Sequence, residues 1–180
     1  LSSGLAIGIG VIVAQYFGAK DEQNVKITIA NSFYVIAIAS ISVSVIGFIF
    51  CPQILRLIST PEELINDSIT YMRVTCVGIF SVALYNGVAA ILRALGDSKT
   101  PLYFLILSTL LNVVFNFILI YYVKLGVVGS ALGTVSAISI AVVLCLLYMY
   151  KKFEIMRLKK SDWKFDKSFM KEHLVVAIPM

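Results

Sequence analysis

The sequence predicts an all-α fold, a polytopic membrane helix bundle, and three observations lead there. The 180-residue chain is 59% hydrophobic, with mean hydropathy +0.94, far above the average of soluble domains. Its charges are spaced so that five uncharged intervals remain, each long enough to cross an apolar layer about 30 Å thick at about 1.5 Å per residue. The basic residues fall unevenly between the two ends of those intervals, as they do in membrane proteins.

The intervals follow in order. The first, residues 1–19, precedes Lys20, with a turn expected near Gly18 and the next helix beginning at Asp21 and Glu22. The second, 27–55, lies between Lys26 and Arg56 and is long enough to tilt or to project from the bilayer. After it, Thr60-Pro61-Glu62-Glu63 reads as a capping box with proline at the first helical position. A helix is therefore expected from Pro61, running polar at first and continuing past Arg73 into the third interval, 74–92. Asp97-Ser98-Lys99-Thr100-Pro101 carries a second start signal, with Thr100 as the expected N-cap, ahead of the fourth interval, 100–123. Lys124-Leu125-Gly126 turns tightly into the fifth, 125–150, where Gly126, Gly129, Ala131 and Gly133 form a small-residue face suited to close helix packing. Residues 1–150 thus form the membrane part, 151–172 a basic connector, and 173–180 the opening of a further span. Beginning and ending inside apolar runs, the chain is expected to be a fragment of a longer polytopic protein.

Charge and cysteine usage narrow the function. Twelve of the fifteen Lys and Arg residues fall on the side of Lys20, Lys26, Arg93, Lys99 and the connector; only Arg56, Arg73 and Lys124 fall on the other. By the positive-inside tendency the loops at 20–26, 93–100 and 151–172 are cytoplasmic, and the connector can touch anionic lipid. The net charge of +5 is a topology signal in this distribution, and no nucleic-acid partner is expected. Cys51, Cys76 and Cys145 match no metal or redox spacing. No Asp, Glu, Lys, Arg or His falls inside the five intervals, while Asp97 and His173 lie at their edges. An acid–base or metal constellation for catalysis is missing, so the chain is not expected to be an enzyme or to need a cofactor.

Uncharged polar residues carry the remaining signal. Asn112 and Asn116, four apart, share one helical face within a 24-residue uncharged run. An amide in hydrocarbon has no water to bond, so each unpaired group is costly. Counted from Lys124, Asn112, Asn116, Thr134 and Ser130 lie about 18, 12, 15 and 9 Å deep, which puts Thr134 level with the asparagines in an antiparallel hairpin. Amide oxygens, a hydroxyl and a nearby main-chain carbonyl suit a small cation such as Na⁺, or a proton-linked water network. Interhelical hydrogen bonding that only glues the two spans fits the same spacing, and a coupling site normally wants a carboxylate, which these spans do not supply. Tyr34 and Asn86 are weaker candidates for a substrate cavity. Gln15 lies near the end of the first span, and Tyr121 with Tyr122 reads as an aromatic belt.

Three segments bring a family into view. GLAIGIGVIVAQYFGAKDEQNVK resembles the second helix and following turn of multidrug and toxic compound extrusion (MATE) transporters. LRALGDSKTPLYFLILSTLLNVVFNFILIYY resembles their fourth-to-fifth helix junction and fifth helix. LGVVGSALGTVSAI resembles the start of their sixth. The closing LVVAIPM resembles the opening of the seventh, so the resemblance covers essentially the whole chain. It implies most of the amino-terminal lobe of a twelve-helix plasma-membrane antiporter, which exchanges organic cations or other amphipathic drugs for Na⁺ or H⁺ by alternating access. It implies a partner in the missing carboxyl-terminal lobe. It matches Asn112, Asn116 and Thr134 to polar coupling positions, with possible Na⁺ ligation there, and Ser130 to a contributing main-chain carbonyl. Some members carry Asp where this chain has Asn116, which puts direct proton binding at that residue in doubt. A first-helix carboxylate would lie upstream of Leu1. The resemblance favours a coupling site over simple glue. Two other readings stand beside the exporter: a lipid-linked saccharide flippase of the same broad superfamily, and a non-transporting membrane scaffold.

Overall fold

In the computed structural model, which describes residues 2–156 and Trp163, every described element is helical. The elements are α1 (Ser2–Gly18), α2 (Glu22–Leu57), α3 (Glu62–Ala94), α4 (Lys99–Asn116) running into a π-helical turn (Phe117–Tyr122), and α5 (Gly126–Lys152), closed by a short 3₁₀ turn (Glu154–Met156). The remainder of the expected connector, the opening of a further span at 173–180, and His173 lie outside the described residues.

α3 is the hub. It packs along α1, α2 and α5, and α4 packs on the far side of α5. The dry centre lies where α1, α2, α3 and α5 converge, around Ile9, Val13, Ile29, Val88, Leu92 and Met149. The outer faces are also apolar: Ile41, Ile46 and Ile49 on α2, and Leu102, Leu110 and Val113 on α4, are all exposed. Water would oppose so much contiguous apolar surface, whereas hydrocarbon does not. Four helices, α2, α3, α4 with its π turn, and α5, are long and apolar enough to cross a membrane. The first is a shorter apolar helix of 17 residues. The protein is therefore a multi-pass membrane bundle. α2 has 36 residues and α3 has 33, so at about 1.5 Å per residue both exceed the apolar layer and must tilt or project.

The helix ends explain most boundaries and correct two. Asp21 caps α2, its carboxylate accepting the Asn24 amide at 3.1 Å. The capping box expected at Thr60 does not form. Pro61 is itself the N-cap, with extended ψ and no side-chain cap, and α3 starts at Glu62. The Thr60 amide instead bonds the Leu55 carbonyl and closes the α2 end, which leaves Glu62 and Glu63 to satisfy the α3 dipole. Nor is Thr100 the N-cap of α4. Asp97 accepts the Thr100 amide at 3.0 Å, and the Thr100 hydroxyl donates back to the same carboxylate at 2.8 Å. A carboxylate is the stronger acceptor for orphan amides, so the helix starts at Lys99, one residue earlier than Thr100.

The π turn is a further departure from a plain α-helix. Beyond Asn116 the helix widens, with the Val123 amide on the Ile118 carbonyl at 3.0 Å and the Leu125 amide on the Leu119 carbonyl at 3.0 Å. Of the small-residue face expected on α5, Gly129 meets Leu119 of the π turn and Gly133 meets Asn116 of α4. Gly126 meets nothing and serves the turn with φ +55°, beside Lys124 at φ +59°.

Candidate functional site

α4 and α5 run antiparallel from the Lys124 turn, and their facing sides carry one chain of polar groups. The Asn116 amide nitrogen donates to the Asn112 side-chain oxygen at 3.2 Å. The Asn112 nitrogen donates to the Thr134 hydroxyl at 2.8 Å, and that hydroxyl donates to the Ser130 carbonyl at 3.0 Å. Four residues taken from two spans thus meet in one directional network. The asparagines and Ser130 are half-buried and Thr134 is exposed, so the network opens on the side of the bundle.

One atom in it has no partner. The Asn116 side-chain oxygen is buried and accepts no hydrogen bond from the described residues. It faces Gly133, where a Cβ would come within 2.4 Å of it. Gly133 therefore makes the room that the Asn116 oxygen occupies. A buried acceptor without a donor costs about 1–3 kcal/mol, so this oxygen is left able to accept from a further donor or to face a cation. The oxygens of Asn112, Asn116, Thr134 and Ser130 form a neutral hard-oxygen set, which fits a weakly held monovalent cation better than a transition metal. No group of three or more His, Cys, Asp or Glu that could hold a metal occurs among the described residues.

The weaker cavity candidates lie apart. Tyr34 sits on α2, its hydroxyl donating to the Trp163 carbonyl at 3.3 Å, and lines a groove walled by α2, α3 and α5. Asn86 is half-buried on α3 and does not join the asparagine network. Gln15 is exposed at the end of α1.

A second polar cluster closes the opposite end of the α4–α5 pair. The Asp97 side chain, 10% exposed, receives the Lys152 ammonium at 2.6 Å and the Tyr148 hydroxyl at 3.3 Å, besides its two bonds from Thr100. Burial pushes this carboxyl up, but the hydrogen bonds from Lys152 and Thr100 outweigh it and hold Asp97 well below the usual carboxylate range. The hydrogen bond to Asp97 raises Lys152 in turn. Asp97 was visible in the sequence only as an edge residue. Its partner lies 55 positions away, and the sequence-local clue was the Asp-x-x-Thr spacing.

The fold and the site together define a multi-pass helical membrane protein that carries an uncharged polar network between two of its spans. The sequence model of the MatE family matches residues 1–118, and the chain belongs to that family. Among its relatives are a probable multidrug resistance protein YoeA of Bacillus subtilis, 32% identical over 98% of this chain, and YpnP of the same organism, 35% identical over 84%. The multidrug export protein MepA of Staphylococcus haemolyticus is 26% identical over 96%. The chain spans 40%, 35% and 38% of those proteins, respectively. The fold superposes with TM-score 0.91 on an inward-facing multidrug resistance MATE family transporter of the MOP superfamily, 23% identical, covering 99% of this chain and 41% of that one. A MOP superfamily transporter from Pyrococcus furiosus, described as having a binding pocket of reversed polarity that suggests a different function, superposes at 0.89 over 99% of this chain and 40% of its own. The expected fold, most of one lobe of a MATE-like bundle, agrees with this partial coverage.

Proposed function

We propose that the chain forms most of the coupling lobe of an exporter that exchanges drug-like amphipathic molecules for Na⁺ or H⁺ by alternating access. The observation that carries the proposal is the Asn116–Asn112–Thr134–Ser130 network with its buried, unpartnered Asn116 oxygen. A cation bound there more tightly in one state than in the other would bias inward- against outward-facing forms. Neutral oxygens alone hold a cation weakly, so a carboxylate contributed from outside the described residues completes the site in this reading. Multidrug names among the relatives support drug-like substrates. The basic bias of the end that carries Lys20, Lys99 and Lys152 supports cytoplasmic loops at 20–26, 93–100 and 151–172; the membrane in this reading is the plasma membrane.

The flippase reading wants basic side chains for an anionic headgroup; the asparagine network and the Tyr34 groove are uncharged, which disfavours it. The scaffold reading leaves a buried acceptor unpaired for no return. Resistance conferred by the full-length protein tests the site. Asn112→Ala and Asn116→Ala, singly and together, are expected to abolish drug resistance at unchanged expression. Wild-type resistance in the double variant would overturn the assignment.

A further inference from the structure

The structure contains a second recess, remote from the asparagine network and built differently. α2 and α5 both pack on α3 but not on each other. Between them lies a groove of about 770 Å³, floored by Phe80 and Leu84 of α3 and walled by Ala37 of α2 and by Val143 and Leu147 of α5. That volume is in the range of small-molecule sites. At the end nearer Lys151, Trp163 closes it, stacked on Phe33 with ring centroids 6.2 Å apart and set edge-on against Tyr34 at 5.6 Å. Tyr150 completes an aromatic rim there.

The lining decides the occupant. Among the described residues, no charged side chain faces the groove. The Tyr34 hydroxyl on its rim is already committed to the Trp163 carbonyl. A site that orients a drug needs a few placed polar groups, and a cationic drug would find no counter-charge. An alkyl chain needs neither. The walls belong to apolar helices of membrane-spanning length, so the groove is continuous with the hydrocarbon that supplies such chains. Its aromatic rim is of the type found at headgroup level. Immediately beyond Tyr150 come Lys151, exposed, and Lys152, which Asp97 engages. Lys151 is thus left to attract an anionic headgroup.

We propose that the groove between α2, α3 and α5 binds one acyl chain of an anionic phospholipid, with the headgroup beside Lys151.

Trp163 is the chain's single tryptophan and reports directly. The full-length protein, with Trp163 as its sole tryptophan, is reconstituted in vesicles that mix unlabelled phosphatidylcholine with acyl-brominated phosphatidylglycerol or acyl-brominated phosphatidylcholine. Brominated phosphatidylglycerol is expected to quench Trp163 with saturation at low mole fraction, well beyond the gradual quenching by brominated phosphatidylcholine. Ala37→Phe, which fills the groove from its α2 wall, should remove the saturable part. Lys151→Gln should lower phosphatidylglycerol quenching to the phosphatidylcholine level. Quenching that rises gradually for both lipids and is unchanged by Ala37→Phe would overturn the proposal. So would a Trp163 that neither lipid reaches, since protein would then fill the groove. Ion-driven transport does not enter this readout, so failure of the coupling site and failure of the lipid site are separable.

Discussion

Asn116 and Asn112 differ in what their amide oxygens meet. The Asn112 oxygen accepts from Asn116, whereas the Asn116 oxygen points at the Cα of Gly133 and accepts nothing. Gly133 is therefore a sizing residue, and Gly133→Ala would place a methyl 2.4 Å from that oxygen. The Asn116 side chain would have to leave. The expected result is a loss of about 1–3 kcal/mol by overpacking, read as a lower melting temperature in detergent, together with weaker ion dependence of transport. Gly18→Ala is the control: nothing lies within 4 Å of its Cβ position, and it should be neutral or slightly stabilising. The pairing of Asn112 with Thr134 was legible in the sequence, because depth counted from Lys124 makes them neighbours. The unpartnered oxygen was not, because it depends on how the two helices are rotated about their axes, which spacing along one chain does not determine.

Each element of the α4–α5 pair is held at both ends, by the turn at Lys124–Gly126 and by Asp97 gripping Lys152, Tyr148 and Thr100. Asp97 is held low, so its contribution is complete above the carboxylate's unfolded pKa of about 3.9. It fades as pH falls below that value through the folded one. Asp97→Asn should therefore lower the melting temperature at pH 7 and narrow the gap to wild type as pH drops through that window. With Lys152 47% exposed, the ion pair itself is screened and contributes little; the carboxylate's bond to the Thr100 amide contributes about 1 kcal/mol. An unchanged difference between the two proteins from pH 7 down through that window would show that the carboxylate charge plays no part. At this scale the sequence was informative about where helices lie and poor about how they start. Each uncharged interval overlaps one helix, but α2 and α3 begin well before theirs, at Glu22 and Glu62, and carry charged residues in those first turns. Thr60 and Thr100 fit capping patterns, yet a main-chain partner and a neighbouring carboxylate took their places. The π turn left no trace, because Phe117, Ile118 and Tyr121 suit an α-helix equally well, and only Gly129 against the Leu119 carbonyl shows where the backbones approach.

For the whole molecule, the asymmetry of basic residues sets an orientation that labelling can test. Cys51, Cys76 and Cys145 are buried, so a membrane-impermeant thiol reagent should see little background from them in a full-length protein freed of other cysteines. Ser98→Cys is expected to react only when the cytoplasmic face is exposed, and Lys124→Cys from outside in intact cells; the opposite pattern would invert the topology. The bundle itself follows from apolar length, whereas the proposed coupling role rests on a few polar atoms between α4 and α5, and the fold is shared with a transporter described as having a different function. The most direct measurement is ion-driven transport by the full-length protein in proteoliposomes. An imposed Na⁺ or H⁺ gradient should drive drug counterflow in the wild type, and the Asn112→Ala/Asn116→Ala protein, equally folded, should lose it. Counterflow at the wild-type rate in that variant would contradict a coupling role for the asparagine network.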